Sequence, residues 1–111
     1  MEKKIFNCLN ELGITFNFSG REYLKTAITM VLEKGRIPAS KELYIDVAQK
    51  HKTTATRVER SIRHVIQTCI DNVDKETMKK YFGNTISMYN WKPSNLVFIY
   101  SVAEYIKVFE G

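Results

Sequence analysis

The sequence predicts an all-α fold, a single compact domain built from six helices. Apolar residues recur every three or four positions along most of the chain, which is the spacing of one helix face. The 111 residues include only two prolines and five glycines, fewer than the many turns of a β-meander need. A chain of this length is expected to form one domain with its own core.

The first three helices are placed by their apolar stripes and by the residues that bound them. Gly13 and Gly35 follow the first two stripes, and glycine readily takes the left-handed conformation that ends a helix. Ser40 precedes the third stripe, where its hydroxyl suits an N-cap. Apolar and polar residues alternate over residues 14–18, so a short extended segment is expected there. The three helices are expected to span about residues 2–12, 21–33 and 41–51.

The last three helices follow from the same periodicity. Gly83 ends the fifth helix. The sixth is apolar on almost every side, so most of it is expected in the core, and the remainder offers a face for self-association. The helices are expected to span about residues 55–72, 75–82 and 94–109. The fourth has the clearest core-facing stripe, formed by Val58, Ile62, Val65, Ile66 and Cys69.

The third and fourth helices are joined by a short polar turn, the sequence KTT at residues 52–54. Two helices joined in this way, with arginines on the first turns of the second helix, indicate a helix–turn–helix motif. In that motif the second helix enters the DNA major groove, and its N-terminal residues contact base edges. The sequence therefore predicts a recognition helix at about residues 55–72.

The polar face of the fourth helix supplies the candidate contact residues. Arg60 lies near the centre of this face and Glu59 lies at its edge. Arginine offers two donors that match guanine O6 and N7, and glutamate can accept from cytosine N4. The helical spacing equally allows Glu59 to form an ion pair with Arg63 one turn later, or a capping box with Thr56.

Composition narrows the class of partner without choosing one. The net charge of +5 and the isoelectric point of about 9.3 favour nucleic acid or an anionic membrane. The chain lacks a signal peptide and any run of the ~18 apolar residues that span a bilayer, so a cytoplasmic protein without a membrane partner is expected.

The sequence gives no support to catalysis, a metal site or a cofactor. His51 and His64 lie at no zinc-ligand spacing, and Cys8 and Cys69 are expected to be reduced, buried thiols. The acidic run DNVDKE lacks the central glycine of a calcium-binding EF-hand loop. Nucleophile and phosphate-loop motifs are also missing, so the protein is expected not to be an enzyme.

A resemblance to a known family rests on three stretches. The central one, TTATRVERSIRHVIQ, resembles the recognition-helix segment of the C-terminal DNA-binding effector domain of the stage 0 sporulation protein A family of sporulation response regulators. The others are FGNTISMYNWKPSN, followed by FI, and YLKTAITMV. The likeness runs from about Ile5 to Ile106.

The resemblance implies a six-helix regulator of transcription that binds a double-stranded DNA element containing TGTCGAA. By position, Arg57, Glu59 and Arg60 are implied to face the bases. Pattern and resemblance together assign a second set of residues to the phosphates, namely Lys50, Lys52, Thr54, Arg63, His64 and Lys92. The family also implies weak self-association on tandem sites and a contact between the segment after the fourth helix and an RNA polymerase sigma factor.

Two departures from the family define the alternative. The segment between helices four and five reads TCIDNVDKET, unlike the family's W-S-R-G type of sequence. Nothing in the chain supplies the acidic cluster of a phosphoacceptor receiver domain, so residues 1–111 are expected to be the effector domain alone, either excised or free-standing. The alternative is a protein-interaction module of the same fold, which binds a sigma factor or related regulator without specific DNA binding.

Overall fold

The computed structural model describes residues 2–15, 19–35, 38–83 and 93–110. These residues form six α-helices, and no strand occurs among them, which confirms the all-α prediction. A π-helical turn, Ile106–Glu110, continues the last helix. The helices are α1 (Glu2–Glu11), α2 (Ser19–Lys34), α3 (Ser40–His51), α4 (Ala55–Asn72), α5 (Lys75–Phe82) and α6 (Asn95–Tyr105).

The end of α1 shows why a glycine follows the first apolar stripe. Gly13 has a φ of 76°, its N–H donates to Asn10 O at 3.0 Å, and the Ile14 N–H donates to Leu9 O at 2.8 Å. These two bonds form a Schellman motif, which satisfies carbonyls that the helix end leaves open. The extended segment expected at residues 14–18 lies partly outside the described residues. Ile14 itself is buried and belongs to this helix end, not to a strand.

Several predicted boundaries are wrong by a few residues, and one of them is the start of α2, which is Ser19 and not about residue 21. The N-cap of α3 is Ala39, not Ser40, and it makes no side-chain cap bond. The reason is that the Ala39 carbonyl already accepts the first helical bond, from the Leu43 N–H at 3.0 Å, so Ser40 is inside the helix. The last α-helix ends at Tyr105, earlier than predicted, because the chain changes to π-helical hydrogen bonding there.

The core lies around α2, which packs against α1, α3, α4 and α6. The predicted stripe of α4 is buried, and α6 is buried on most sides while Val97 and Tyr100 remain exposed. Cys8 and Cys69 are buried and form no disulfide, and burial raises the pKa of Cys69 to about 12. Among the described helices, none has both the length and the apolar character needed to cross a membrane.

Close packing of α2 on α4 requires a glycine. A Cβ atom at position 20 would lie 2.4 Å from the Ser61 carbonyl oxygen and 2.5 Å from Val65 Cγ2, both closer than van der Waals contact. Gly20 therefore lets the two helix backbones approach each other directly. The next residue, Arg21, is only 4% exposed, and its Nη1 donates to the Ile14 carbonyl and to Asn10 Oδ1 at the end of α1. The start of α2 is thus held on both sides.

Candidate nucleic-acid interface

The turn between α3 and α4 is short and closed by backbone hydrogen bonds. It comprises Lys52, Thr53 and Thr54. Lys52 takes a left-handed conformation with a φ of 54°, which ends α3, and the Thr53 N–H donates to Ala48 O at 2.9 Å. Three residues between packed helices give the arrangement of a helix–turn–helix motif.

Side chains hold α3 against α2 at both of its ends. At the C-terminal end, His51 Nε2 and Thr26 Oγ1 are 2.7 Å apart, and the His51 ring meets the Tyr23 ring edge-on, with 5.1 Å between centroids. Near the N-terminal end, Lys34 Nζ lies 3.0 Å from Glu42 and 3.1 Å from Asp46. These contacts fix where the end of α3, and with it the turn, lies against α2.

Thr54 begins the recognition helix. Its hydroxyl oxygen accepts from the Arg57 N–H at 3.1 Å, which makes Thr54 the N-cap of α4. The capping box considered for Thr56 and Glu59 is therefore excluded, because Thr56 lies inside the helix. The Thr54 side chain is exposed, and its hydroxyl proton remains available to donate to a phosphate oxygen.

The three residues predicted to contact bases are all exposed on the first turns of α4. Arg57 and Arg60 are three positions apart, so they lie side by side on the helix surface. Both line one shallow recess, named here the first-turn recess, whose residues are Thr54, Thr56, Arg57, Arg60 and Ser61. Glu59 faces away from it, towards a second depression.

The second depression lies between α4 and the start of α6, with one residue contributed by α3. It is named here the α4–α6 groove. It brings together four predicted contact residues, Glu59, Arg60, Arg63 and His64, and it adds four that the sequence did not single out as contacts. Its lining residues are Tyr44, Glu59, Arg60, Arg63, His64, Gln67, Ser94 and Asn95.

Arg63 has a partner that was not predicted. Its Nη1 donates to the Pro93 carbonyl oxygen at 2.7 Å, and the side chain is half-buried. Within the described ranges, no ion pair joins Arg63 to Glu59, which argues against ion pairing as the role of the glutamate. The guanidinium has five N–H donors, so others remain for a phosphate.

Asn95, the first residue of α6, is the main residue missed by sequence reasoning. It is only 7% exposed, and its Nδ2 donates to the Glu59 backbone carbonyl at 3.2 Å. Its buried Oδ1 has no hydrogen-bond partner in the part of the chain that the structure describes. Burial raises the pKa of the neighbouring Tyr44, an effect that the Asn95 side chain partly offsets. The only sequence signal for Asn95 was its place in the KPSN stretch.

The remaining predicted phosphate contacts are less closely grouped. Lys50 and Lys52 are exposed at the end of α3 and in the turn, and His64 is exposed on α4. Lys92 lies outside the described residues. In the described chain, no cluster of three or more His, Cys, Asp or Glu side chains is arranged to hold a metal ion.

Three exposed acids lie around the junction of α4 and α5. Asp74 caps α5 by accepting from the Thr77 N–H at 2.8 Å, and this hydrogen bond lowers the pKa of Asp74. Asp71 accepts from Gln67 Nε2 at 3.0 Å, and Asp71, Asp74 and Glu76 are all exposed. Of these acids only Asp71 belongs to α4. It lies near the C-terminal end of this 18-residue helix, which is roughly 27 Å long, and the exposed arginines lie near the N-terminal end.

Comparison with known protein families agrees with this geometry. The sequence profile of one family, described as Sporulation initiation factor Spo0A C terminal, matches residues 5–106 of the 111. The match covers α2–α6 entirely and most of α1. It is a family of DNA-binding regulator domains, not of enzymes. The chain therefore belongs to the Spo0A C-terminal family and is a sporulation-related, DNA-binding domain of transcription regulation.

Proposed function

We propose that the protein is a sequence-specific regulator that places α4 in the major groove of a TGTCGAA-like site. The observation that carries this proposal is the first-turn recess, where Arg57 and Arg60 lie exposed beside each other at the N-terminus of the helix after the turn. This is the part of a recognition helix that contacts base edges. The net charge of +5 adds a general attraction to DNA, and the proposal places this activity in the cytoplasm.

The three base-contacting residues are proposed to bind different bases, because their side chains offer different hydrogen-bonding groups. Arg57 and Arg60 present planar, two-pronged donors suited to guanine O6 and N7. Glu59 only accepts hydrogen bonds, and its charge is repelled by phosphates, so its place on this face suits cytosine N4 at the groove floor. Exposure of all three side chains supports this division of roles.

The phosphate contacts surround this centre. Lys50, Lys52 and Thr54 lie before the first turn of α4, while Arg63 and His64 lie in the α4–α6 groove. Lys92 is kept in the set from its place in the family motif. Contacts of this kind position a protein on the duplex without reading its sequence. Their number sets the salt dependence of binding.

The test is a fluorescence-anisotropy titration of the 111-residue chain with a TGTCGAA duplex and with a scrambled duplex at one salt concentration. Specific binding of this class is typically stronger than non-specific binding by about 10³-fold or more. We expect a clear preference for TGTCGAA, and a stronger preference on a duplex with two tandem sites if the exposed Val97 and Tyr100 face supports self-association. Equal affinity for both duplexes at every salt concentration would refute sequence-specific recognition.

A second candidate function is binding of an RNA polymerase sigma factor or a related regulator. The observation that favours it is the group of exposed acids at the junction of α4 and α5, namely Asp71, Asp74 and Glu76, which suit a basic partner surface. Isothermal titration with a purified sigma factor tests it, using Asp71→Asn as the variant. Suppose that Asp71→Asn weakens binding to the sigma factor and that the unmodified chain does not prefer TGTCGAA. Protein interaction would then be the main activity.

A further inference from the structure

The start of α6 contacts α4 at the same turn that carries Glu59 and Arg60. Asn95 Nδ2 donates to the Glu59 carbonyl at 3.2 Å, and Arg63 donates to the Pro93 carbonyl at 2.7 Å. In the first bond the donor belongs to α6 and the acceptor to α4. In the second bond the donor belongs to α4 and the acceptor lies just before α6. Together they tie the polar face of α4 to the first residue of α6 and to Pro93 just before that helix.

Asn95 places a polar side chain in a buried position, which is unfavourable for stability. Its side chain is buried, yet only one of its two polar atoms has a partner among the described residues. A buried polar atom without a partner opposes folding, so an apolar side chain of similar size serves stability at least as well. A hydrogen bond is directional, so it favours one rotation and one register of a helix. Apolar contact has no such direction.

We infer that Asn95 is a positioning residue for DNA recognition, which acts by holding the Glu59–Arg60 turn of α4 at a fixed rotation relative to α6. The inference rests on the proposed function, in which that turn reads bases. Asn95 is too buried to contact DNA itself, so its effect passes through the Glu59 carbonyl. Small displacements of a contact side chain weaken bidentate bonds to bases, which require a defined geometry.

Tyr44 of α3 lies beside Asn95 in the same groove. Its side chain is half-buried in the α4–α6 groove, and its hydroxyl interacts with the Asn95 side chain. Burial raises the pKa of the Tyr44 hydroxyl above its ordinary value, and the Asn95 side chain lowers it in part. Asn95 therefore contacts α4 through its hydrogen bond to the Glu59 carbonyl and α3 through Tyr44.

The test compares Asn95→Leu with the unmodified chain in the anisotropy titration. Loss of one positioning hydrogen bond should reduce affinity for the TGTCGAA duplex about tenfold and leave affinity for the scrambled duplex unchanged. The melting temperature should remain within about 4 °C of the original value. The serine side chain of Asn95→Ser is too short to reach the Glu59 carbonyl, so this variant should lose the same affinity for the TGTCGAA duplex. It replaces Asn95→Leu in the test if the leucine variant folds poorly.

The matched control is Asn72→Leu. Asn72 Nδ2 also donates to a backbone carbonyl of α4, that of Thr68 at 2.8 Å, but at the opposite end of the helix. Removing this bond should leave the ratio of the two affinities unchanged. If it lowers the ratio as much as Asn95→Leu does, the effect is a general one on α4 and the positioning role is refuted.

A double variant separates positioning from a simple loss of stability. In an Arg60→Ala background the reading turn has lost its main contact, so adding Asn95→Leu should change the affinity ratio much less than it does alone. Full additivity would overturn the inference. If Arg60→Ala lowers the ratio but both Asn95 variants keep it, the positioning role fails and the proposed function stands. If the unmodified chain shows no preference for TGTCGAA, the proposed function fails and the inference falls with it.

Discussion

Gly20 of α2 lies directly against the carbonyl oxygen of Ser61 on α4, so that a Cβ atom at position 20 would lie 2.4 Å from that oxygen. The obstacle is backbone, which no change of rotamer removes. The second near neighbour, Val65 Cγ2 at 2.5 Å, is itself a core side chain. The spacing between the recognition helix and the central helix of the core therefore depends on the absence of one side chain.

Gly20→Ala should destabilise the protein by about 1–3 kcal/mol, since overpacking forces the two helices apart. Helix propensity alone predicts the opposite sign, a gain of up to about 1 kcal/mol for alanine over glycine. The free energy of unfolding from urea titration distinguishes these outcomes by its sign. A stabilised Gly20→Ala variant would mean that α2 and α4 are not in such close contact in solution.

The junction of α1 and α5 should make stability depend on acid pH. The Tyr81 hydroxyl and the Lys80 ammonium donate to the Glu11 carboxylate, and both bonds lower its pKa below the ordinary value of 4.5. A depressed pKa contributes stability that is fully present above the unfolded value and is lost as pH falls through the folded value. The side chain is 40% exposed, so solvent screening limits the contribution to below about 1 kcal/mol.

We therefore expect Glu11→Gln to reduce the free energy of unfolding at neutral pH and to match the unmodified chain at a pH well below 4.5. Tyr81→Phe removes the hydroxyl that donates to Glu11. It should therefore reduce the difference in stability between neutral and low pH. Urea titrations at several pH values measure both effects. If Tyr81→Phe leaves the pH profile unaltered, the hydroxyl is not the group that stabilises the carboxylate.

Local signals were sufficient to predict most of the fold. The bounds of α4 were predicted correctly because a strong apolar stripe lies between a polar turn and Val73, where the helix ends. The N-cap of α3 was predicted one residue too late. Ala39 and Ser40 are neighbours in the sequence, and only the backbone hydrogen bond from Leu43 shows which of them is the cap. Side-chain preference is a weak guide where a neighbouring carbonyl has already started the helix.

The supports of the recognition helix were beyond sequence reasoning. The bond from Asn95 to the Glu59 carbonyl joins residues 36 positions apart, and the bond from Arg63 to Pro93 joins residues 30 apart. Both acceptors are backbone carbonyls, which every residue possesses, so no side-chain pattern marks them. The exposed residues of α4 were accessible to prediction because their helical spacing alone places them on one face.

Thr54 has one observed role, as the N-cap of α4, and one predicted role, as a phosphate contact, and a pair of substitutions separates them. Thr54→Ala removes the acceptor for the Arg57 N–H and should cost about 1 kcal/mol of stability. Thr54→Asp keeps a cap acceptor, so its stability should be retained, but its negative charge should weaken binding to every DNA sequence. Thr54→Ser should preserve both properties. Thermal melting and anisotropy titration measure the two effects, and unchanged DNA affinity for Thr54→Asp would remove Thr54 from the phosphate set.

Arg60 and Lys52 should differ in what their loss does to DNA binding. Arg60→Ala should reduce binding to the TGTCGAA duplex by about 1–3 kcal/mol and relax the preference for one guanine. Lys52→Ala should weaken the specific and scrambled duplexes alike and reduce the salt slope by about 1. Anisotropy titrations across a range of salt concentrations measure both quantities. An Arg60→Ala variant with an unchanged ratio of specific to scrambled affinity would show that Arg60 does not read a base.

Glu59→Gln tests whether a carboxylate on the reading face accepts from cytosine. Glutamine keeps the length of the side chain but loses the charge and gains an amide donor, which suits adenine better than cytosine. Discrimination in favour of cytosine should fall by about 1 kcal/mol, while affinity for scrambled DNA should rise because a repulsion from phosphates is removed.

The readout for Glu59→Gln is a panel of duplexes in which the cytosine of TGTCGAA is replaced by each other base in turn. Glu76→Gln is the matched control, since it removes the same charge from an exposed glutamate on α5, away from the first turns of α4. The control should leave the order of preference within the panel unchanged. If Glu59→Gln also leaves it unchanged, the carboxylate is a solvated group on the helix surface and the bases are read by the arginines alone.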